Sequence, residues 1–186
     1  NKPKIILSEK SLVAEEYVLN LNDKKEIEVF TIPDLKEVNL SGLQNNTFDK
    51  ITCFQKLSGF KNNNSLFVIC NAYNIYIIRP VGINAKIIKI TTSFLDAFDN
   101  TSFIFGSVAD YTQDGINDIW ISNMYYKDKI SKKTVGYLAL LDGKLLQDLI
   151  KDEFQQINIK KLIRKEIFGD NLLPNTEASG QYHPTT

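Results

Sequence analysis

Histidine is almost missing from this chain: among 186 residues there is one, His183. It sits in an end segment, 174–186, whose Pro, Asn, Ser, Gly and Thr content reads as an extended tail. A Ser-His-Asp or Cys-His arrangement therefore has no base, and a zinc site has too few ligands. Asp96 with Asp99, or Asp148 with Asp152, would formally offer two carboxylates for hydrolysis, yet such pairs read as solvated turns. No glycine-rich phosphate loop follows a strand and opens a helix. An excess of either charge is lacking too. Lys plus Arg and Asp plus Glu number 22 each, so no chain-wide field favours nucleic acid or an anionic membrane. The basic run from Lys160 to Lys165 alternates with Ile and Leu, as a solvated face does. No apolar run approaches the roughly 18 residues needed to cross a bilayer, because Arg79, Pro80 and scattered Asn and Lys interrupt each candidate. The chain opens at Asn1 without a signal-peptide pattern, as expected of a processed or trimmed chain.

What the sequence does contain is apolar material in short runs. Hydrophobic residues make up 43%, enough for a sizeable core. The runs are β-branched and aromatic, of strand length, with turn residues between them. They also repeat at about fifty residues. Phe48-Asp49-Lys50 recurs as Phe98-Asp99-Asn100, and the same order of segments follows each. One unit runs Ile51 to Leu57, a loop at Lys61 to Asn64, Leu66 to Cys70, Ile75 to Ile78, a Pro80-Val81-Gly82 turn, then Ile87 to Ile90. The other runs Ser102 to Val108, an aspartate loop, Ile119 to Ser122, Tyr137 to Leu141, an Asp142-Gly143 hairpin turn, then Leu145 to Leu149. The opening residues allow a third unit: Lys4 to Leu7, Glu16 to Leu21, Glu26 to Ile32 and Lys36 to Leu40. This gives an all-β chain of antiparallel four-stranded units over about 4–41, 48–95 and 98–150. Residues 152–167 read either as a minor helix opened by Asp152 or as a strand of a further unit.

The two cysteines fall in the first of these units. If 51–57 and 65–71 pair as a hairpin, Cys53 and Cys70 lie nearly opposite one another, at a spacing a disulfide bridges. Two buried thiols in strands is the other reading. Asn-x-Ser/Thr sequons at Asn39, Asn45, Asn63 and Asn100 are glycosylation acceptors only in a eukaryotic secretory route.

Specific chemistry is written at one place, Asp110-Tyr-Thr112-Gln-Asp114-Gly115-Ile116-Asn-Asp118. Asp110, Thr112, Asp114 and Asp118 set oxygen side chains at positions one, three, five and nine, with the carbonyl of Ile116 between them. Calcium takes six to eight oxygens at about 2.3–2.6 Å, which alternate positions of a tight loop can supply. Gly115 permits the sharp turn. An EF-hand is excluded, since its twelfth position, which needs a bidentate acid, is Ile121 and strand residues follow. The corresponding loop of the first unit carries asparagines, so one metal is expected and not two.

Phe105-Gly106, Asp110 to Asp118, Ile119 to Ser122 and Gly136 to Leu140 together resemble an FG-GAP repeat, the blade unit of integrin alpha-chain β-propellers and related bacterial surface proteins. The resemblance covers one repeat well, about Phe98 to Leu149. It implies that the four-stranded units are blades of a β-propeller, about three of them over 1–173, in a ring that a longer chain or a protein partner completes. It further implies one Ca2+ held by Asp110, Thr112, Asp114, Ile116 through its carbonyl, and Asp118. The implied role is non-enzymatic protein binding or cell adhesion at an extracellular, cell-surface or periplasmic location. Two alternatives stand beside it: an accessory domain of a larger secreted hydrolase, and a structural subunit of a larger complex. Tyr125 and Tyr126, in the long connection 123–134, are the candidate partner-binding residues, the alternative being that they pack against a neighbouring sheet.

Overall fold

The fold was taken from a computed structural model, which describes residues 10–40, 43, 48, 50–61, 66–71, 74–92, 104–124, 126, 128, 130, 132–151 and 156–169. Among the described residues the chain is mostly strand with one α-helix, in sheets whose pairings are antiparallel but for one. β1 (Ser11–Ala14), β2 (Tyr17–Leu21) and β3 (Ile27–Thr31) form a three-stranded meander. The β2–β3 turn is held by Asn22, whose side-chain oxygen accepts the amides of Lys24 and Glu26, both at 3.0 Å. β4 (Ile51–Leu57), β5 (Leu66–Asn71), β6 (Ile75–Val81) and β7 (Asn84–Thr91) form a second meander. β8 (Phe105–Ala109), β9 (Asp118–Asn123) and β10 (Tyr137–Leu141) begin a third. After β10 come α1 (Gly143–Lys151), β11 (Gln156–Asn158), a 3-10 turn (Ile159–Lys161) and β12 (Ile163–Phe168). β11 crosses to the second sheet and lies parallel to β7, while β12 returns antiparallel to β10.

Alternation along β5 explains how the sheets stack. Its residues Leu66 to Cys70 are all buried, as a strand with no solvent face must be. Leu66, Val68 and Cys70 join one core with Ile75, Ile77, Ile88 and Ile90, against Ile119, Ile121, Ala139 and Leu141 of the third sheet. Phe67 and Ile69 point the other way, with Tyr76 and Ile78, into a second core shared with Tyr17, Leu19, Ile27 and Val29 of the first sheet. The second sheet is thus the filling between two others. Among the described residues no closed barrel or ring of sheets forms, and no helix is long and apolar enough to cross a membrane.

Four expectations need correction. Ser11–Ala14 is a strand that the sequence reading passed over. Glu37 and Asn39 make only isolated bridges, to Phe30 and Asn84, instead of a full fourth strand of the first unit. The turn expected at Pro80-Val81-Gly82 falls at Gly82-Ile83, between the paired Val81 and Asn84, with Gly82 left-handed at φ +61. Pro80 is tolerated inside β6 because it lies beyond the last pairing with β5 at Ile78, so its missing N–H breaks no bond on that side.

The fourth correction is the largest: Asp142-Gly143 opens a helix and not a hairpin, and the strand expected at 145–149 is α1. Asp142 acts as N-cap, its Oδ1 accepting the Leu145 amide at 3.0 Å and its carbonyl the Leu146 amide at 3.0 Å. Its Oδ2 meets the Arg164 guanidinium at 2.9 Å. Leu146 and Ile150 are buried while Lys144, Leu145 and Asp148 are exposed, a period of 3.6 and not of 2. The fourth strand of the third sheet is β12 instead. Of the two readings of 152–167, helix or strand, the described part, 156–168, is strand around a 3-10 turn, β11 and β12, with β12 joining the third sheet and not a further unit. Residues 4–7, the loop at 62–64, and the tail 174–186 lie outside the described residues.

These assignments separate in a denaturant titration. Asp142→Ala is expected to cost about 1–2 kcal/mol through the lost cap. Leu145→Ala, at a residue 42% exposed on the outer side of α1, is expected to change stability by less than about 0.5 kcal/mol. A larger loss for Leu145→Ala would mean that 145–149 packs as a strand.

Candidate metal centre

The aspartate loop joins β8 to β9 and is built around its own carboxylates. Asp110 accepts the amide of Asp114 at 3.1 Å on Oδ1 and that of Gly115 at 2.9 Å on Oδ2. Asp114 Oδ1 accepts the Ile116 amide at 3.0 Å, closing a local turn. Gln113 and Gly115 take left-handed backbones, at φ 60 and +86. Ile116 anchors the loop by burying its side chain in the core between the second and third sheets.

Asp118 differs from the other two. Asp110 and Asp114 are exposed, whereas Asp118 is 0% exposed at the start of β9. Its Oδ2 accepts the Thr112 amide at 2.9 Å and its Oδ1 the Gly143 amide at 2.8 Å. One carboxylate thereby ties the tip of the loop to the first residue of α1. Burying a carboxylate is costly unless it is well satisfied, and two backbone donors supply part of that.

Glycines let the neighbouring chain close on the loop. A side chain at Gly59, just after β4, would start 2.0 Å from the Gly115 carbonyl oxygen, and one at Gly143 would start 2.1 Å from that of Asn117. Ser58 donates its amide to Asn117 Oδ1 at 2.7 Å and accepts the Asn117 amide at 2.9 Å. Lys61 donates its amide to Gln147 Oε1 of α1 at 2.6 Å. The connection after β4 and the start of α1 therefore clamp the loop from two sides. Gly59 and Asn117 carry no signal of their own in the sequence, and Gly143 reads there as a hairpin glycine and not as a contact of the loop; the trace of the clamp is that the repeat sets the connection after β4 in the same place as the aspartate loop.

Does this arrangement suit a cation? The donor set is three carboxylates, a hydroxyl and a carbonyl, all hard oxygens. Among the described residues none of Asp110, Asp114 and Asp118 is paired with a basic side chain. Thr112 Oγ1 is buried with no hydrogen-bond partner, an orphan that a cation would satisfy. Each carboxylate oxygen that accepts an amide keeps a second lone pair. Against these stands the present aim of the carboxylates, which face amides: among the described residues no three acidic, histidine or cysteine side chains gather into one cluster. The residues fit calcium by the chemistry of their donors.

The remaining candidates are placed as follows. Cys53 and Cys70 are direct cross-strand partners in β4 and β5, both buried free thiols. Tyr126 is half-buried, its ring 6.1 Å from Tyr137 and 5.9 Å from Phe168, so it packs within the third sheet; Tyr125 lies outside the described residues. Burial first, and then its hydrogen bond to Glu166, push the Tyr137 phenol well above its ordinary pKa, so it stays a donor at neutral pH. Asp148 is exposed on α1, and Asp96, Asp99, Asp152 and His183 lie outside the described residues. Of the basic run, Arg164 pairs with Asp142 and the lysines are exposed.

With calcium chelated, Asp118→Asn is expected to destabilise the chain by about 1–3 kcal/mol, because an amide NH2 would face a backbone N–H. Asp114→Asn, which keeps an accepting oxygen, is expected to cost less than about 0.5 kcal/mol. Equal losses in urea titrations would contradict the structural role assigned to Asp118.

No family model, no curated protein and no solved structure matches this chain, so its function rests on the loop and the sheets themselves.

Proposed function

We propose that the chain is a calcium-stabilised β-propeller module that binds protein outside the cytoplasm and catalyses no reaction. The observation that carries this reading is in the aspartate loop: Thr112 Oγ1 is buried with no hydrogen-bond partner, in the same loop as three carboxylates that, among the described residues, meet no basic side chain. Asp110, Thr112, Asp114, Asp118 and the Ile116 carbonyl would hold the ion, which supplies charge neutralisation and cross-linking of the loop. The resemblance of this stretch to an FG-GAP blade supports the same conclusion.

The stacking of sheets in chain order is what successive blades of a propeller require. Rings of this kind have four to eight blades, so more sheets would have to come from a longer natural chain or from a protein partner. The outer face of the third sheet supports such an association, because Phe105, Leu138 and Ile167 stand exposed there in one cross-strand row with Ser122. Extracellular calcium, at millimolar levels, would saturate a site with a dissociation constant of about 10⁻⁴ M.

Thermal unfolding in 10 mM calcium and in excess chelator tests the reading. At about a hundredfold excess over the dissociation constant, the ion stabilises by about 2.7 kcal/mol. For a chain of this size that raises Tm by about 5–10 °C. Asp114→Ala combined with Asp118→Ala should unfold at the same temperature in both buffers. An identical Tm for the unmodified protein with and without chelator would remove the calcium assignment and, with it, the main support for an FG-GAP blade.

A further inference from the structure

We propose that Cys53 and Cys70 are a cystine site: in an oxidising compartment they join as a cross-strand disulfide that staples β4 to β5 and that the folded protein shields from reductants. The reasoning is independent of the aspartate loop. The two residues are paired directly across an antiparallel ladder, immediately after a register shift between Ile51 and Cys53. Opposed Cα atoms in such ladders are about 4.5–5.5 Å apart, within the range a disulfide spans. Their side chains also share one face of the sheet, since both belong to the core against the third sheet. A Cβ added at Gly106 of β8 would lie 2.9 Å from Cys70 Sγ, 3.1 Å from Cys53 Sγ and 2.8 Å from Cys53 Cβ. Both sulfurs therefore crowd the same spot beneath a residue that has no side chain.

The local chemistry gives the exchange a direction. Cys53 is held below the ordinary thiol value by a hydrogen bond from Cys70, which burial only partly opposes. Cys70 is pushed up by donating that bond and by burial, so Cys53 is the first thiolate to form. β4 is an edge strand of its sheet, covered over the sulfurs by β8. Reagents reach the pair while β8 is lifted, during folding or local opening. The oxidant is a low-molecular-weight disulfide such as oxidised glutathione. Cys53 loses its proton to solvent and attacks one glutathione sulfur, breaking that S–S bond, forming a mixed disulfide and releasing one glutathione thiolate. Cys70 then loses its proton and attacks the Cys53 sulfur, expelling the second glutathione. Two electrons pass from the protein thiols to the small disulfide, and the released thiolates take up the two protons. Once β8 is seated, its contact at Gly106 closes the bond from attack.

The experiment refolds the unmodified chain from urea in a mixture of oxidised and reduced glutathione. It then denatures the product without reductant, treats it with N-ethylmaleimide and weighs it intact. Expected is a monomer with no maleimide added, lighter than the reduced chain by two hydrogens. The folding equilibrium constant of this oxidised chain should exceed that of the reduced one by about a hundredfold, the effect of closing a loop of about 15 residues. Native oxidised protein should keep the bond in dithiothreitol and lose it once urea is added. The double variant Cys53→Ala with Cys70→Ala should unfold at one midpoint in both redox buffers. Two maleimides on the refolded chain, a glutathione adduct, a disulfide-linked dimer, or a cystine that leaves the equilibrium unchanged would each overturn the proposal.

Discussion

A sheet with no face open to water is the constraint on which the rest of this molecule depends. Leu66 to Cys70 place five consecutive apolar side chains in one strand, alternating between two cores. At about 25 cal/mol per Å2 of apolar surface, neither set can be left wet without forfeiting a large part of a stability that totals only some 5–15 kcal/mol. Two further sheets are thus obligatory, one for Phe67 and Ile69 and one for Leu66, Val68 and Cys70. The chain meets this by placing meanders before and after the central one. It also sends β11 across to extend the central sheet beside β7, where Ile157 and Ile159 enter the same core.

Close approach of the second and third sheets has a second requirement, which glycine meets. Gly106 lies over the two cysteines, Gly59 against the Gly115 carbonyl, and Gly143 against Asn117. At each point a methyl group would meet backbone or sulfur at 2.9 Å or less. The carboxylate of Asp118 works in the same seam. By binding the Thr112 and Gly143 amides it makes the aspartate loop, β9 and α1 one unit, so the loop inherits rigidity from the packed sheets.

Much of the strand content was legible because β-branched runs bounded by Asn, Gly and Pro have few other uses. Strands β4, β5, β7, β9 and β10 lie where those runs predict, and the cross-strand meeting of Cys53 and Cys70 follows from counting along the hairpin. The stretch after β10 was not legible, for a definite reason. Asp-Gly favours a tight hairpin, yet the same Asp side chain is an excellent helix N-cap, and Leu-Leu-Gln-Asp-Leu-Ile offers apolar residues at both periods. The choice is made at long range, by Arg164 meeting Asp142 and by Gln147 receiving the Lys61 amide. Of the candidate site, the loop between two strands was readable. The separate fate of Asp118, buried while its two companions are exposed, was not, because it depends on Gly143, which lies 25 residues away in sequence.

That burial bears on how the loop communicates with the surface. Tyr111 sits inside the aspartate loop, yet its ring lies edge-on to Trp120 of β9 at 6.0 Å and its hydroxyl is 3.0 Å from Ser107 Oγ of β8. Trp120 pairs across the ladder with Ser107 and Leu140, next to the row of Phe105, Ser122, Leu138 and Ile167. The loop therefore touches the buried seam through Asp118 and Ile116, and the outer sheet face through Tyr111. Its ends are fixed by packing, whereas the segment from Tyr111 to Gly115 is held mainly by amide-to-carboxylate bonds that water can replace. Asp110 holds the Asp114 and Gly115 amides of that segment, while Tyr111 fastens the same segment to Trp120 and Ser107 on the outer face.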